Sequence, residues 1–179
     1  GTKVRFFHKQ KLPTYDVFDE ARHCRPGKLS ENLVRIHDRK VLVTICEDIW
    51  GWEDGDNPLR RVPKGKVDLV INLSASPFTT TKRARRLKVI GQTAKHFSAP
   101  MVYVNMVGAQ DEVLFDGRSM VVDKRGRLLS ELAAFDEDLG VFDVSSGETG
   151  HRTQPEKIEL LRRALVCGIR DFVKKTGME

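Results

Sequence analysis

The sequence predicts an α/β layered fold, on three observations. Runs 41–45 (VLVTI), 67–73 (VDLVINL) and 101–107 (MVYVNMV) are mostly apolar at consecutive positions, the pattern of strands buried on both faces. Between the second and third runs, Leu87, Ile90, Ala94 and Phe97 recur at helical spacing with basic residues opposite, which predicts a helix over 82–97. Each apolar run then ends in a polar stretch: CED, SASPF and GAQDE. In layered α/β folds ligands gather at the carboxyl ends of strands, so these three stretches are the first functional signal.

The remaining elements follow in chain order. Residues 4–7 read as a short strand, and 11–27, rich in turn formers and aromatics, as a structured loop. Residues 29–36 are ambiguous. Segment 50–66 (WGWEDGDNPLRRVPKGK) is a loop dense in Gly, Pro and charge. Residues 119–132 read as a hairpin with Gly126 in the turn, and 140–144 (GVFDV) as another strand. A linker over 144–156 leads to a last amphipathic helix, marked by Ile158, Leu161, Leu165, Ile169 and Phe172 and stopped at Gly177. Both ends look cut from something longer.

Composition narrows the function classes. The chain has 179 residues, enough for one sizeable domain, and 40% of them are hydrophobic. A net charge of +6 suggests a polyanion, but the basic residues are scattered among 25 acids and only 82–88 forms a run, so no nucleic-acid partner is expected. Three cysteines without paired spacing argue against a disulfide framework and for a reducing, cytoplasmic setting. There is no CxxC, HExxH or His cluster, hence no expected metal site. No apolar stretch reaches the ~20 residues of a membrane span, so no membrane partner is expected.

The chemistry centres on Cys46, which closes the first buried run and is followed at once by Glu47 and Asp48. Carboxylates oppose a thiolate, and the thiolate is the reactive form of cysteine. Either Cys46 is an inert core thiol, or a cation elsewhere in the chain offsets those charges. Lys9, at the end of the first predicted strand, is a candidate for holding developing negative charge beside a nucleophile.

Four blocks extend this pair: KQKLPTYDVFDEARHCRPG, TICEDIWG, NLSASPFTTTKRARR and YVNMVGAQDEVLFDGRSMVVDKRGRLL. Together, in this order over about residues 3–145, they resemble the nitrilase-superfamily amidohydrolases, and among them the glutaminase domains of glutamine-dependent NAD synthetases. The final segment RRALVCGIRDFVKKTG is similar to the helix that opens the synthetase domain of that family. The resemblance implies part of a nitrilase-like α-β-β-α sandwich over 1–145, a linker over 146–156 and the start of a synthetase domain over 157–179. It implies hydrolysis of glutamine to glutamate and ammonia through a cysteine thioester. The ammonia would serve ATP-dependent amidation of nicotinic acid adenine dinucleotide to NAD, with ATP and Mg expected only in the synthetase domain and no cofactor in this segment. Partners implied are glutamine, the synthetase domain of the same chain and further copies of the chain in a homo-oligomer.

Carried over residue by residue, Cys46 matches the nucleophile. Lys9 matches the lysine that stabilises the tetrahedral intermediate, forming an oxyanion site with the backbone N–H after Cys46. Glu20 matches a glutamate that positions this lysine. Tyr15, Glu47, Ser76 and Lys82 match positions lining the glutamine pocket, with Glu47 suited to the α-ammonium group and Ser76 and Lys82 to the α-carboxylate. Asp48 reads as a structural acid bonded to backbone, Ser74 as a turn-capping hydroxyl, and Trp50 and Trp52 as packing under their loop. Segment 108–117 (GAQDEVLFDG) would shape the site entrance or an ammonia path, and the basic face 83–88 reads as a solvated or subunit-facing surface.

The family's general base, a glutamate far upstream of the lysine, has no counterpart among the eight residues before Lys9, and no SGG-type phosphate loop is present. The expectation is therefore a fragment of a larger enzyme. Two alternatives remain open: a non-catalytic nitrilase-like module for binding or assembly, and a C–N hydrolase acting on another amide.

Overall fold

The apolar runs become the parallel centre of a six-stranded sheet. The structure, a computed structural model, describes residues 4–53, 55–144 and 155–178. An irregular N-terminal segment carries a one-turn helix, α1 (Glu20–His23). Strand β1 (Leu33–Ile36) turns at His37 (φ 51°) and returns antiparallel as β2 (Arg39–Ile45). Strand β3 (Leu69–Ser74) lies parallel to β2, and β4 (Met101–Asn105) parallel to β3. Parallel neighbours need a crossover, and helix α2 (Lys82–Phe97) supplies it between β3 and β4, over the residues its period predicts. Strands β5 (Val107–Gln110) and β6 (Val113–Asp116) form a separate hairpin. The chain rejoins the main sheet as β7 (Met120–Val122) and β8 (Leu128–Glu131), giving the order β1-β2-β3-β4-β7-β8. Helix α3 (Lys157–Thr176) follows and ends at Gly177 with φ 68°.

The register shows where the core sits. Leu42 pairs with Val70, Val70 with Met101, and Met101 with Val122, forming one apolar rung across the sheet. Ile90, Ala94 and Phe97 of α2 belong to the same buried cluster, and burying a side chain such as Ile90 contributes about 1.5–3 kcal/mol. Two rungs along, the ladder is mostly polar: Thr44, Asn72, Tyr103, Met120 and Glu131, every one of them buried. Gly126 lets the β7–β8 turn press against α2. It has φ 75°, and a Cβ there would lie 2.8 Å from the carbonyl oxygen of Gly91.

Two predicted strands are absent. Residues 4–7 form no strand, with Val4 74% and Phe6 75% exposed. This segment is held instead by side chains: Arg5 donates to the carbonyls of Glu31 and Leu33, and Asn32 accepts from the His8 N–H and donates to the His8 carbonyl. Residues 140–144 are also irregular, and Val141 is 95% exposed. Alternating apolar residues supply strand propensity, but neither segment meets an edge to pair with. The run 101–107 is cut at Met106, where the chain leaves the main sheet for the β5–β6 hairpin. Most of the expected linker, 145–154, lies outside the described residues. Among the described residues no helix is long and apolar enough to cross a membrane.

Candidate functional site

Cys46 follows β2 directly and takes φ 44°, a left-handed conformation that costs a non-glycine residue strain. It opens a 3-10 turn, Cys46–Ile49, and the fully buried Asp48 closes that turn. One carboxylate oxygen of Asp48 accepts from the Ile45 N–H at 2.9 Å. The other accepts from the N–H groups of Gln10 (2.9 Å) and Lys11 (2.8 Å). Asp48 is thus the backbone-bonded acid the sequence suggests, and it fastens the segment carrying Lys9 to the turn carrying Cys46.

Lys9 is held from two further directions. Its Nζ lies 2.6 Å from both carboxylate oxygens of Glu20, the first residue of α1. Its carbonyl accepts from the Gly27 N–H at 2.8 Å. A Cβ at Gly27 would fall 2.3 Å from the His8 Cβ, so only glycine allows this approach. Lys9, Glu20 and Cys46 line one cavity of about 550 Å³, walled on its apolar side by Leu12, Phe18 and Leu73. Burial pushes the Cys46 thiol above its usual pKa, and Glu47 adds to this, while the Lys9 ammonium and the Ala75 N–H pull it back. The charge that offsets the two neighbouring carboxylates is therefore Lys9.

Glu47 turns to a different set of partners. Burial raises its pKa, opposed by a hydrogen bond with Tyr15 and by the charges of Lys11, Lys9 and Lys82. The Tyr15 phenol is in turn raised by burial and by Glu47. Lys82, at the start of α2, is lowered by burial and by the like charges of Arg86 and Arg85. Its Nζ sits 4.9 Å from the centre of the Trp50 ring, on which Arg85 also rests. Trp50 does pack, as its position in the loop suggests, but it packs against the two cations beside the site.

Ser76 is set apart from these groups. It is 3% exposed, and its hydroxyl accepts from the Nε of Arg86 at 3.3 Å. Arg86 is fully buried, bonds the carbonyls of Ser76 and Pro77, and pairs with Asp116 at 2.6 Å. This corrects the reading of 83–88 as a solvated or subunit-facing surface at Arg83 and Arg86, while Arg85 and Lys88 are exposed as that reading has it. Arg86 is internal, and Arg83 makes a two-point pair with Glu131 of β8. Segment 108–117 forms the β5–β6 hairpin, which packs against α3 with a cavity of about 730 Å³ between them. Asp171 of α3 accepts from the Ala109 N–H at 2.7 Å.

The structure also brings in residues that sequence reasoning passed over. Thr44, Asn72 and Tyr103, which pair across β2, β3 and β4, and Arg86 of α2 are all fully buried. The available signal was Asn72, an amide within an apolar strand, which must find partners. Among the described residues, no three His, Cys, Asp or Glu side chains gather as metal ligands would.

Comparison with known proteins places these features in a family. The model of carbon–nitrogen hydrolases matches residues 2–153. A glutamine-dependent NAD(+) synthetase of Synechocystis sp. is 41% identical over 190 aligned positions, covering 99% of this chain and 34% of that protein. The Thermotoga maritima protein of the same name is 34% identical, covering 100% of this chain and 37% of its own length. The chain spans about a third of the length of these curated relatives. The solved structure of the glutamine-dependent NAD+ synthetase from Acinetobacter baumannii superposes with a TM-score of 0.81 at 33% identity, over 96% of this chain and 32% of that one. A carbon-nitrogen hydrolase from Helicobacter pylori shares the fold at 21% identity, with a TM-score of 0.63 over 72% of this chain and 48% of that one. By its sequence match and its fold, the chain belongs to the carbon–nitrogen hydrolase family.

Proposed function

We propose that this chain hydrolyses the side-chain amide of glutamine, with Cys46 as nucleophile. The convergence of Lys9, Glu20 and Cys46 on one cavity carries this reading. The sulfur of Cys46 bonds the amide carbon, and the developing oxyanion is met by the Lys9 ammonium and the backbone N–H after Cys46. Glu20 holds Lys9 in place. The C–N bond then breaks, and ammonia leaves carrying, in net terms, the thiol proton. Water hydrolyses the thioester to glutamate. Glu47, backed by Tyr15, binds the α-ammonium group of the substrate. Lys82 binds the α-carboxylate, together with the Ser76 hydroxyl, which Arg86 polarises.

The named relatives support a destination for the ammonia. Residues 1–145 form the amidohydrolase domain, 146–156 a linker and 157–179 the start of a synthetase domain of the same chain. That domain would bind ATP and Mg and amidate nicotinic acid adenine dinucleotide to NAD. The cysteines Cys24, Cys46 and Cys167 are all unpaired, in keeping with a reducing cytoplasm, and assembly into a homo-oligomer completes the reading.

The test is labelling by an electrophilic glutamine analogue, followed by peptide mapping. Cys46 should carry the adduct, Cys24 and Cys167 should not, and free glutamine should protect. Cys46→Ala should abolish amide hydrolysis with the fold kept; retained hydrolysis would refute the assignment. A Lys82→Ala variant separates glutamine from other amides. It should raise KM for glutamine and leave hydrolysis of a simple aliphatic amide unchanged.

A further inference from the structure

The turn that carries Cys46 and Glu47 ends in an aromatic ring, and that ring is what the Lys82 ammonium meets. Trp50 closes the turn: its N–H donates to the Glu47 carbonyl at 2.9 Å, and its own carbonyl accepts from the side-chain amide of the buried Asn57 at 3.1 Å. The ring packs against the main core cluster, and the neighbouring Trp52 fastens the same loop to α2 by donating to the Thr93 hydroxyl at 3.0 Å. The platform is therefore fixed both to the turn that bears Cys46 and to the helix that bears Lys82. The Lys82 Nζ lies 4.9 Å from the ring centre, and the guanidinium of Arg85, three residues on along α2, lies 5.8 Å from it. Among the described residues Lys82 has no ion pair and no side-chain hydrogen bond; its Nζ stays on the ring although Glu47 attracts it.

We propose that Trp50 is a positioning residue for recognition of the substrate's α-carboxylate: its ring face holds the Lys82 ammonium apart from Glu47 and leaves its charge uncompensated. This rests on Lys82 binding that carboxylate. A carboxylate partner would neutralise the ammonium and compete with the substrate for it. An aromatic face attracts a cation through its quadrupole, leaves the net charge in place and keeps water from that side. Collapse of Lys82 onto Glu47 would cancel both charges that the two ends of an amino acid need. The ring resists that collapse because its backbone is bonded to Glu47 itself, so the spacing between the two charges is set by one rigid turn.

The test is steady-state hydrolysis, by the intact protein, of glutamine and two trimmed amides. Glutaramate keeps the carboxylate and lacks the ammonium; 4-aminobutanamide keeps the ammonium and lacks the carboxylate. Trp50→Leu removes the π face and should raise KM for glutamine and glutaramate roughly three- to tenfold, with kcat moved by less than about twofold. KM for 4-aminobutanamide should stay as in the wild type. Trp50→Phe keeps a ring face and should restore most of the loss. A fluorinated tryptophan placed at position 50 keeps the shape and withdraws charge from the ring face, so KM for glutamine should climb with each added fluorine. That series gives an answer even where Trp50→Leu fails to fold. In a Lys82→Ala protein the same changes at Trp50 should add nothing. A flat KM along the fluorine series would overturn the proposal. So would an equal loss with 4-aminobutanamide, or a Trp50→Leu effect that persists in full without Lys82, since the ring would then shape the pocket or touch the substrate itself. Failure of the underlying reading is distinct: Lys82→Ala alone would leave KM for glutamine unchanged.

Discussion

At Cys46 three carboxylates and one ammonium decide what the sulfur can do. Glu47 raises the thiol pKa, Asp48 is spent on three backbone N–H groups, and Glu20 meets Lys9 rather than sulfur. Lys9 is thus the residue whose loss should matter most after Cys46 itself. Lys9→Met keeps the length of the side chain and removes the charge. It should lower kcat for glutamine hydrolysis by roughly two to three orders of magnitude, as losing an oxyanion donor does. KM should change little if Glu47 and Lys82 hold the substrate ends as proposed; steady-state kinetics separate the two. Lys9→Arg should not rescue, since a planar guanidinium cannot occupy a point position between Glu20 and the sulfur. Cys46, Lys9 and Glu20 could be grouped from the sequence only through the resemblance of its motif blocks to a family, and the structure brings all three to one cavity. Asn72, Thr44 and Arg86 were not, because their roles depend on which strand lies beside which. Register places Thr44 opposite Asn72 and Asn72 opposite Tyr103, and no local pattern encodes that pairing.

The elements are joined to the site by buried polar contacts as much as by apolar packing. Helix α2 shows this best. Ile90, Ala94 and Phe97 seat it on the sheet, but Arg86 ties it to the loop after β3 and to Asp116 of β6. Both side chains of that pair are at most 2% exposed. Breaking such a pair strands a buried charge, so Asp116→Ala should cost about 3–5 kcal/mol in urea unfolding. The paired change Arg86→Met with Asp116→Leu should recover much of this, as no charge is then left alone. An Asp116→Ala variant as stable as wild type would mean that water reaches Arg86. The helix itself was legible to the residue, and so was the β7–β8 hairpin, because period and turn chemistry are local. The strands expected at 4–7 and 140–144 failed for the opposite reason: a strand needs a partner edge, and sequence pattern cannot supply one. The β5–β6 hairpin was missed as a separate sheet because the apolar run 101–107 reads straight through the break at Met106.

Across the whole molecule, α3 is the piece that reports on long-range organisation. Leu160, Ala164 and Cys167 pack against Ala134 and Phe135, with Phe78 and Leu114 at the margin. Phe78 closes the SASPF stretch, so α3 touches the frame of the site from outside. The opposite side of α3 exposes Leu165, Ile169 and Phe172. Its polar fastenings are Lys175, which donates to the Ala109 carbonyl, and Asp171, which accepts from the Ala109 N–H and from Arg170. Burial tends to raise the Asp171 pKa, but these two donors and the charge of Lys175 outweigh it and hold the carboxyl below the usual range. The linkage sign follows. A carboxylate with a depressed folded pKa stabilises the docked helix fully above its unfolded value, about pH 4, and ceases to do so as pH falls through the folded value. Asp171→Ala should therefore speed hydrogen exchange at the Ala109 amide by roughly ten- to a hundredfold at pH 7, the range for a hydrogen bond to a charged group. The difference between wild type and variant, corrected for intrinsic exchange, should close as the solution is taken well below the ordinary carboxylate range. No difference between wild type and variant at pH 7 would assign the docking of α3 to its apolar contacts and to Lys175, whose ammonium donates to the Ala109 carbonyl.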